Sequence, residues 1–418
     1  MEETAPWDPR RGVATARRLL SRVLAWGRPA DVALYGLCAL FSAYTWSFSE
    51  LAPHRAWGQI AVWGYLGAAI LAAALRTQVA RAVLAGATWI ATALVPLVCL
   101  ATERAAGRIG RAQEEVVVIE AAGLRMLRSG TPYLDRDAIA AVPAAVRLSD
   151  YLPYQPGMAV AGLPRAIAGI TWWTDARVVM ALLSTVALIL ALHLLGFSRF
   201  DARTQAPLRA LQAVTVLPLA ALTLATGGDD VPVLALSLLA CVLCVRHRWV
   251  LAGLAIGCAA ALKLTAWPVA VVLGLVVFVR ARRSLMAYAF AAASLPIVTL
   301  LPVLLINQRA VVENVIRFPL GHGLVRSPAA SPLPGYLLTA HLPDGRQLVI
   351  ALLLSALAGI TVSVLHRPPS SAAAAALISA VGLLLAILLM PATRFGYLLY
   401  PVALLAWVPL LRRADRLS

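Results

Sequence analysis

Long apolar runs separated by short polar breaks extend along this chain from residue 32 to residue 411. They lie at about 32–50, 58–75, 82–101, 177–197, 210–226, 231–245, 249–264, 267–280, 285–306, 347–365, 372–390 and 395–411. A helix crosses the hydrocarbon core of a bilayer in roughly 20 apolar residues. The runs do not alternate between apolar and polar positions, so a membrane barrel is excluded. The pattern predicts an all-α, polytopic transmembrane protein with about 12 spans. A further apolar piece, 156–172, is interrupted by Pro164 and Arg165. It is expected to be a re-entrant or interfacial segment, because irregular backbone at membrane depth must be covered by protein.

Composition agrees with the pattern: 61% of the 418 residues are hydrophobic and only 13% are charged. The first apolar run is of full spanning length and follows a basic stretch with Arg10, Arg11, Arg17, Arg18, Arg22 and Arg28, so it reads as an anchor and not as a cleavable signal. With the N-terminus placed in the cytoplasm, 20 of the 36 basic residues and six of the 19 acids fall on that side. The direction obeys the positive-inside rule. The formal net charge of +17 therefore has a topological explanation and does not call for a nucleic-acid partner. All five cysteines (Cys38, Cys99, Cys241, Cys244 and Cys258) lie in apolar runs. Cys241 and Cys244 form a C-x-x-C without a second Cys or His pair, so they read as small buried thiols.

The thirteen remaining acids fall on the opposite side, most of them in the loop 102–176 and in Gly227-Gly228-Asp229-Asp230. Glu114 and Glu115 open a predicted helix along which Val117, Ala121, Leu124 and Leu127/Arg128 recur at helical spacing, with Gly130 and Pro132 as stop signals. Acids in a first turn complement the helix dipole, which is the plain reading; a general base at the membrane surface is the functional one. Asp229 and Asp230 fit a tight turn, or a pair that binds sugar hydroxyls or a cation. Lys263, the only lysine, sits between two half-length apolar runs. Snorkelling to the interface and contact with a phosphate are both open to it. The second outer loop, 307–346, brings Arg317, His322 and Arg326 in a turn-rich frame, and Arg394 and Tyr397 stand at the end of a span. Guanidinium and imidazole groups suit a phosphate or diphosphate.

There is no Walker A loop, no G-x-G-x-x-G unit and no His/Cys cluster. The order of motifs instead resembles the GT-C glycosyltransferases, in particular glycosyltransferase family 87, the polyprenyl-phosphate-mannose-dependent mannosyltransferases of actinobacteria. The resemblance runs from Glu115 through Ala121-Ala122, Leu127, Gly130 and Pro132-Tyr133. It continues through Gly228-Asp229-Asp230 and Ala261-Leu262-Lys263 to Arg394-Phe395-Gly396-Tyr397. It divides the chain into a cytoplasmic basic tail (1–30), two additional N-terminal membrane helices (31–81) and a GT-C-like module (82–418).

The resemblance implies an inverting membrane glycosyltransferase, mannosyltransferase-like, working at the outer face of the cell membrane; the charge bias, with an even number of crossings, places both termini in the cytoplasm. Its partners would be a polyprenyl-phosphate sugar donor, a lipid or glycan acceptor, and membrane lipids. Glu115 would be the base. Lys263, Arg317, His322, Arg326 and Arg394 would hold the donor phosphate, and Asp229, Asp230, Tyr133 and Tyr397 would bind substrate. No cofactor is implied, and a divalent metal is not required. The family's acid is usually Asp; Glu115 is one carbon longer, and Glu114 beside it leaves the assignment open by one residue. If neither reached the acceptor, the chain would be a binding or inactive relative. The alternative function is a multi-pass transporter or lipid-linked sugar flippase, which would place ionisable residues near mid-membrane and show an inverted repeat.

Overall fold

A computed structural model describes residues 27–196 and 205–417. Most of the expected N-terminal basic tail, with Arg10, Arg11, Arg17, Arg18 and Arg22, lies outside the described residues, as do Arg199, Asp201 and Arg203. The fold is all-α. Helix α1 (Arg28–Phe48) and α2 (Ala52–Ala74) form a hairpin, and α3 spans Gln78–Ala105 with a π turn at Ile90–Leu94. The first connecting region carries α4 (Glu114–Ser129), α5 (Arg136–Ala141) and α6 (Leu163–Ala168), the last preceded by a 3-10 turn at Pro156–Gly162. Then come α7 (Ala176–Leu195), α8 (Ala206–Thr215), α9 (Pro218–Thr226), α10 (Asp230–Val245), α11 (Trp249–Leu262), α12 (Ala266–Arg280) and α13 (Leu285–Val311). The chain ends with α14 (Pro334–His341), α15 (Gly345–His366), α16 (Ala372–Leu389) and α17 (Leu399–Asp415).

Among the described residues, eight helical stretches are long and apolar enough to cross a membrane, the successive helices α8 and α9 counting as one; α10, α11 and α12 are shorter. At 1.5 Å per residue, the 16 residues of α10 reach roughly 24 Å, less than the ~30 Å hydrocarbon core. Every one of those residues is buried. A helix that is hydrophobic all round and packed on all sides need not match the bilayer, because protein surrounds it. At the other extreme, α13 and α15 leave Phe290, Leu305, Leu354 and Leu365 exposed, the surface expected of helices facing lipid tails. The segment 156–172 is broken into the 3-10 turn and α6, as its Pro164 requires. The run 210–226 is also broken: Leu217 precedes Pro218 in an extended conformation, which separates α8 from α9.

Helix α4 buries Val116, Ile119, Glu120 and Gly123, while Val117 and Leu127 are exposed. The apolar stripe read from the sequence is thus its outward face. Gly130 ends the helix in the left-handed region, a conformation that costs glycine little. Gly123 packs directly on Gly162: a Cβ at Gly123 would lie 2.5 Å from the Gly162 carbonyl carbon. Gly123→Ala should therefore cost about 1–3 kcal/mol through overpacking, read as a lower thermal-unfolding midpoint of the reconstituted protein.

A buried ion network fixes α4 from below. Arg104 at the end of α3 holds Glu120 through two hydrogen bonds, at 2.7 and 2.6 Å, and Asp175 at 2.9 Å. Arg165 Nε lies 3.1 Å from Glu120. The Ala176 N–H at the start of α7 donates to Glu120 at 3.2 Å. Arg177 grips Asp175 with Nε and a terminal nitrogen, each at 2.8 Å, and donates to the carbonyls of Arg111 and Ala225, each at 2.9 Å. Burial alone would raise the Asp175 carboxyl, but the hydrogen bonds and charges of Arg177 and Arg104 bring its pKa down to about 2. Buried charges persist where, as here, each has several partners.

Candidate active site

The helix ends at α4, α9/α10, α11/α12 and α16/α17 converge. The Gln113 N–H donates to the Thr226 carbonyl (2.9 Å), tying the start of α4 to the end of α9. The Gln155 N–H donates to the Leu262 carbonyl (3.1 Å), tying the 3-10 turn to the end of α11. The helices break at Gly228, whose left-handed conformation costs glycine little, and at Lys263, which is extended.

Two charge clusters occupy this junction. In the first, Glu115 forms an ion pair with Arg394. Glu115 is mostly buried, whereas Glu114 is exposed. Burial raises the Glu115 pKa above the ordinary carboxylate value; the Arg394 charge opposes this and the Asp229 charge reinforces it. In the second, Lys263 Nζ lies 2.7 Å from Asp229 and 2.5 Å from Asp230. The Tyr400 hydroxyl donates to Asp230 at 2.7 Å. The ammonium stands 5.0 Å from the centre of the Tyr154 ring and 5.2 Å from that of Tyr397, a cation–π arrangement on two sides. Burial works against the ammonium, but the two carboxylates outweigh it and hold Lys263 well above its usual pKa. Asp229 is lowered for the matching reason, Lys263 overcoming the cost of burial.

Of the residues singled out in the sequence, Glu115, Asp229, Asp230, Lys263, Arg394 and Tyr397 are therefore brought together. Tyr133 is buried, and its hydroxyl donates to the Tyr154 carbonyl at 2.7 Å, which positions the Tyr154 ring beside Lys263. The other three cations are elsewhere. Arg317 lies 3.4 Å from Glu313, His322 Nε2 lies 3.1 Å from Arg346, and Arg326 is exposed. Their loop is anchored by Tyr151, which donates to Glu313 (2.8 Å) and stacks on Phe318 with ring centres 4.2 Å apart. No hydrogen bond or ion pair joins these three cations to Glu115 or Lys263 among the described residues. The same loop does reach Arg394's segment, through a backbone bridge between Ala330 and Thr393. Tyr154, Tyr400, His54 and Gln113 were not singled out in the sequence. Single aromatic and amide side chains carry no spacing signal, and only the fold shows what they touch.

Among the described residues no three His, Cys, Asp or Glu side chains gather as a metal site. The cysteines are unpaired; Cys241 and Cys244 are buried as expected, Cys38 is buried too, and Cys99 is exposed.

The fold and this junction define a polytopic helical membrane protein with a buried polar centre at one end of its bundle. Residues 151–391, more than half of the chain, match the sequence model of glycosyltransferase family 87, and the chain belongs to that family. It is a membrane glycosyltransferase, and its substrates are a sugar donor and an acceptor; this favours the transferase over the transporter reading. Neither a curated protein nor a solved structure matches the chain. The matched stretch contains Asp229, Asp230 and Lys263, whereas Arg394 lies just past its end and Glu115 well before its start.

Proposed function

We propose that this protein transfers a sugar, mannose in the first instance, from a polyprenyl phosphate to a hydroxyl of a lipid or glycan acceptor, on the extracytoplasmic side of the cell membrane and with inversion. One observation carries the reading: a mostly buried glutamate with a raised pKa is paired with a half-buried arginine beside a lysine–aspartate cluster. Across the two clusters, Glu115, Asp229 and Asp230 are balanced against Lys263 and Arg394, three negative charges against two positive. Lys263 already pairs with two carboxylates. Arg394, with one partner, is the cation that an arriving phosphate recruits. Drawing Arg394 toward the phosphate releases Glu115. Its carboxylate then accepts the proton of the acceptor hydroxyl as that oxygen forms its bond to the anomeric carbon. The bond from that carbon to the phosphate oxygen breaks, and polyprenyl phosphate leaves with the electron pair, its charge stabilised by Arg394. A single displacement of this kind inverts the anomeric centre.

The test is transfer from a synthetic polyprenyl-phosphate mannose of known anomeric configuration by the full-length protein in liposomes, with acceptor lipids extracted from membranes. A product of opposite configuration, resolved by NMR, is the expected result. A retained configuration, or no transfer from any polyprenyl-phosphate sugar, would overturn the reading.

A further inference from the structure

The hairpin α1–α2 lies outside the stretch matched by the family, yet its second helix begins at the active site. His54, in the first turn of α2, has its Nε2 2.6 Å from Nε2 of Gln113. One hydrogen bond joins the two side chains; which of them donates follows from the imidazole tautomer and the orientation of the amide. Gln113 is the residue before α4 and two before Glu115. Its backbone N–H is spent on Thr226 (2.9 Å) and its carbonyl accepts from Val116 in the first turn of α4 (3.2 Å). Its side-chain oxygen covers Gly227, where a Cβ would lie 2.5 Å away. Gln113 thus touches α2, the start of α4 and the turn that leads into Asp229. The hairpin is itself held firmly: Trp57 Nε1 donates to the Thr92 carbonyl (2.7 Å) and the Tyr65 hydroxyl to the Val216 carbonyl (2.6 Å).

We propose that His54 is a positioning residue for transfer, holding Gln113 so that the first turn of α4 presents Glu115 to Arg394. The hairpin is then a working part of the active site and not an appendage. The proposal rests on Glu115 as the base, but its geometric half can be tested without substrate. His54 fixes Gln113 through a single hydrogen bond, so its loss loosens the placement of Glu115 without removing any reacting group. Gln at position 54 can still donate and accept, whereas Phe fills the space and can do neither.

The experiment uses the full chain in liposomes with His54→Phe and His54→Gln, and two readouts. The first is labelling of Glu115 by a water-soluble carbodiimide, followed by mass spectrometry in the absence of substrate. The second is kcat and KM with the synthetic polyprenyl-phosphate mannose. For His54→Phe, labelling is expected to rise and kcat to fall, each by about two- to tenfold, the worth of one hydrogen bond. KM and the unfolding midpoint should change little, and His54→Gln should restore both readouts. Labelling and kcat unchanged in His54→Phe would overturn the proposal. So would a kcat loss that follows a fall in the unfolding midpoint, or His54→Gln as impaired as Phe, which would require the imidazole itself. If the labelling result holds while Glu115→Gln remains fully active, the positioning stands and the base assignment fails.

Discussion

Glu115→Gln should lower kcat by about 10²–10⁴-fold, the usual contribution of a general base. Glu114→Gln should stay within about twofold, as expected of a surface substitution with no buried partner. The contrast follows from orientation on one helix turn. Successive residues point about 100° apart around the axis, so only one of two adjacent glutamates can face the junction, and Glu115 is the one that meets Arg394. Gln keeps the size and one acceptor oxygen but has no basicity, so folding and donor binding should survive. The acid limb of the rate profile follows the same group. Glu115 works as the carboxylate and burial raises its pKa, so activity should fall as the pH drops through a value above the ordinary glutamate range. Measuring kcat against pH for the parent protein and the variants checks both statements. Parental kcat in Glu115→Gln, with loss in Glu114→Gln, would move the base by one residue.

Lys263→Met is expected to destabilise the protein by about 3–5 kcal/mol, the cost of leaving a buried charge without its partner. Lys263 neutralises Asp229 and Asp230 together, at 2.7 and 2.5 Å, where all three side chains are at most 9% exposed. Removing it leaves two carboxylates facing each other out of reach of bulk water, and the break between α11 and α12 loses its tie to the α9–α10 turn. Adding Asp230→Asn should recover part of the loss, because one of the two stranded charges is gone and the amide still accepts from Tyr400. Denaturant unfolding of the four proteins in a double-mutant cycle measures the coupling. Additive single effects would show that the cluster does not act as a unit.

Much of the helix layout was legible in the sequence. Runs at 231–245, 249–264 and 267–280 correspond to α10, α11 and α12, and Lys263 does fall at a break between helices. The start of α4 at Glu114 and its stop at Gly130 were equally plain. The unbroken apolar run 210–226 hides the split of α8 from α9, although Pro218 marks it. The buried face of α4 was hidden for a different reason. Its apolar residues Val116, Ile119 and Ala122 share that face with Glu120 and with Gly123, which packs on Gly162, while Val117, Ala121 and Leu124 repeat at helical spacing on the outward side. Cation-rich loops looked equivalent in one dimension, but Arg317 and His322 are engaged with Glu313 and Arg346 while Arg394 reaches Glu115.

The sequence by itself determined the class of protein, the positions of most of its apolar helices, its resemblance to a glycosyltransferase family and a short set of candidate polar residues. These are local properties: hydrophobic run length sets a helix, and glycine or proline ends it. Only the tertiary structure decided which of two adjacent glutamates meets Arg394, that Lys263 pairs with two aspartates, and that a hairpin near the other end of the chain brings His54 to Gln113. Arg394 is 279 residues from Glu115 and His54 is 59 from Gln113. Partners that far apart are chosen by packing of whole helices, to which neither spacing nor periodicity is sensitive.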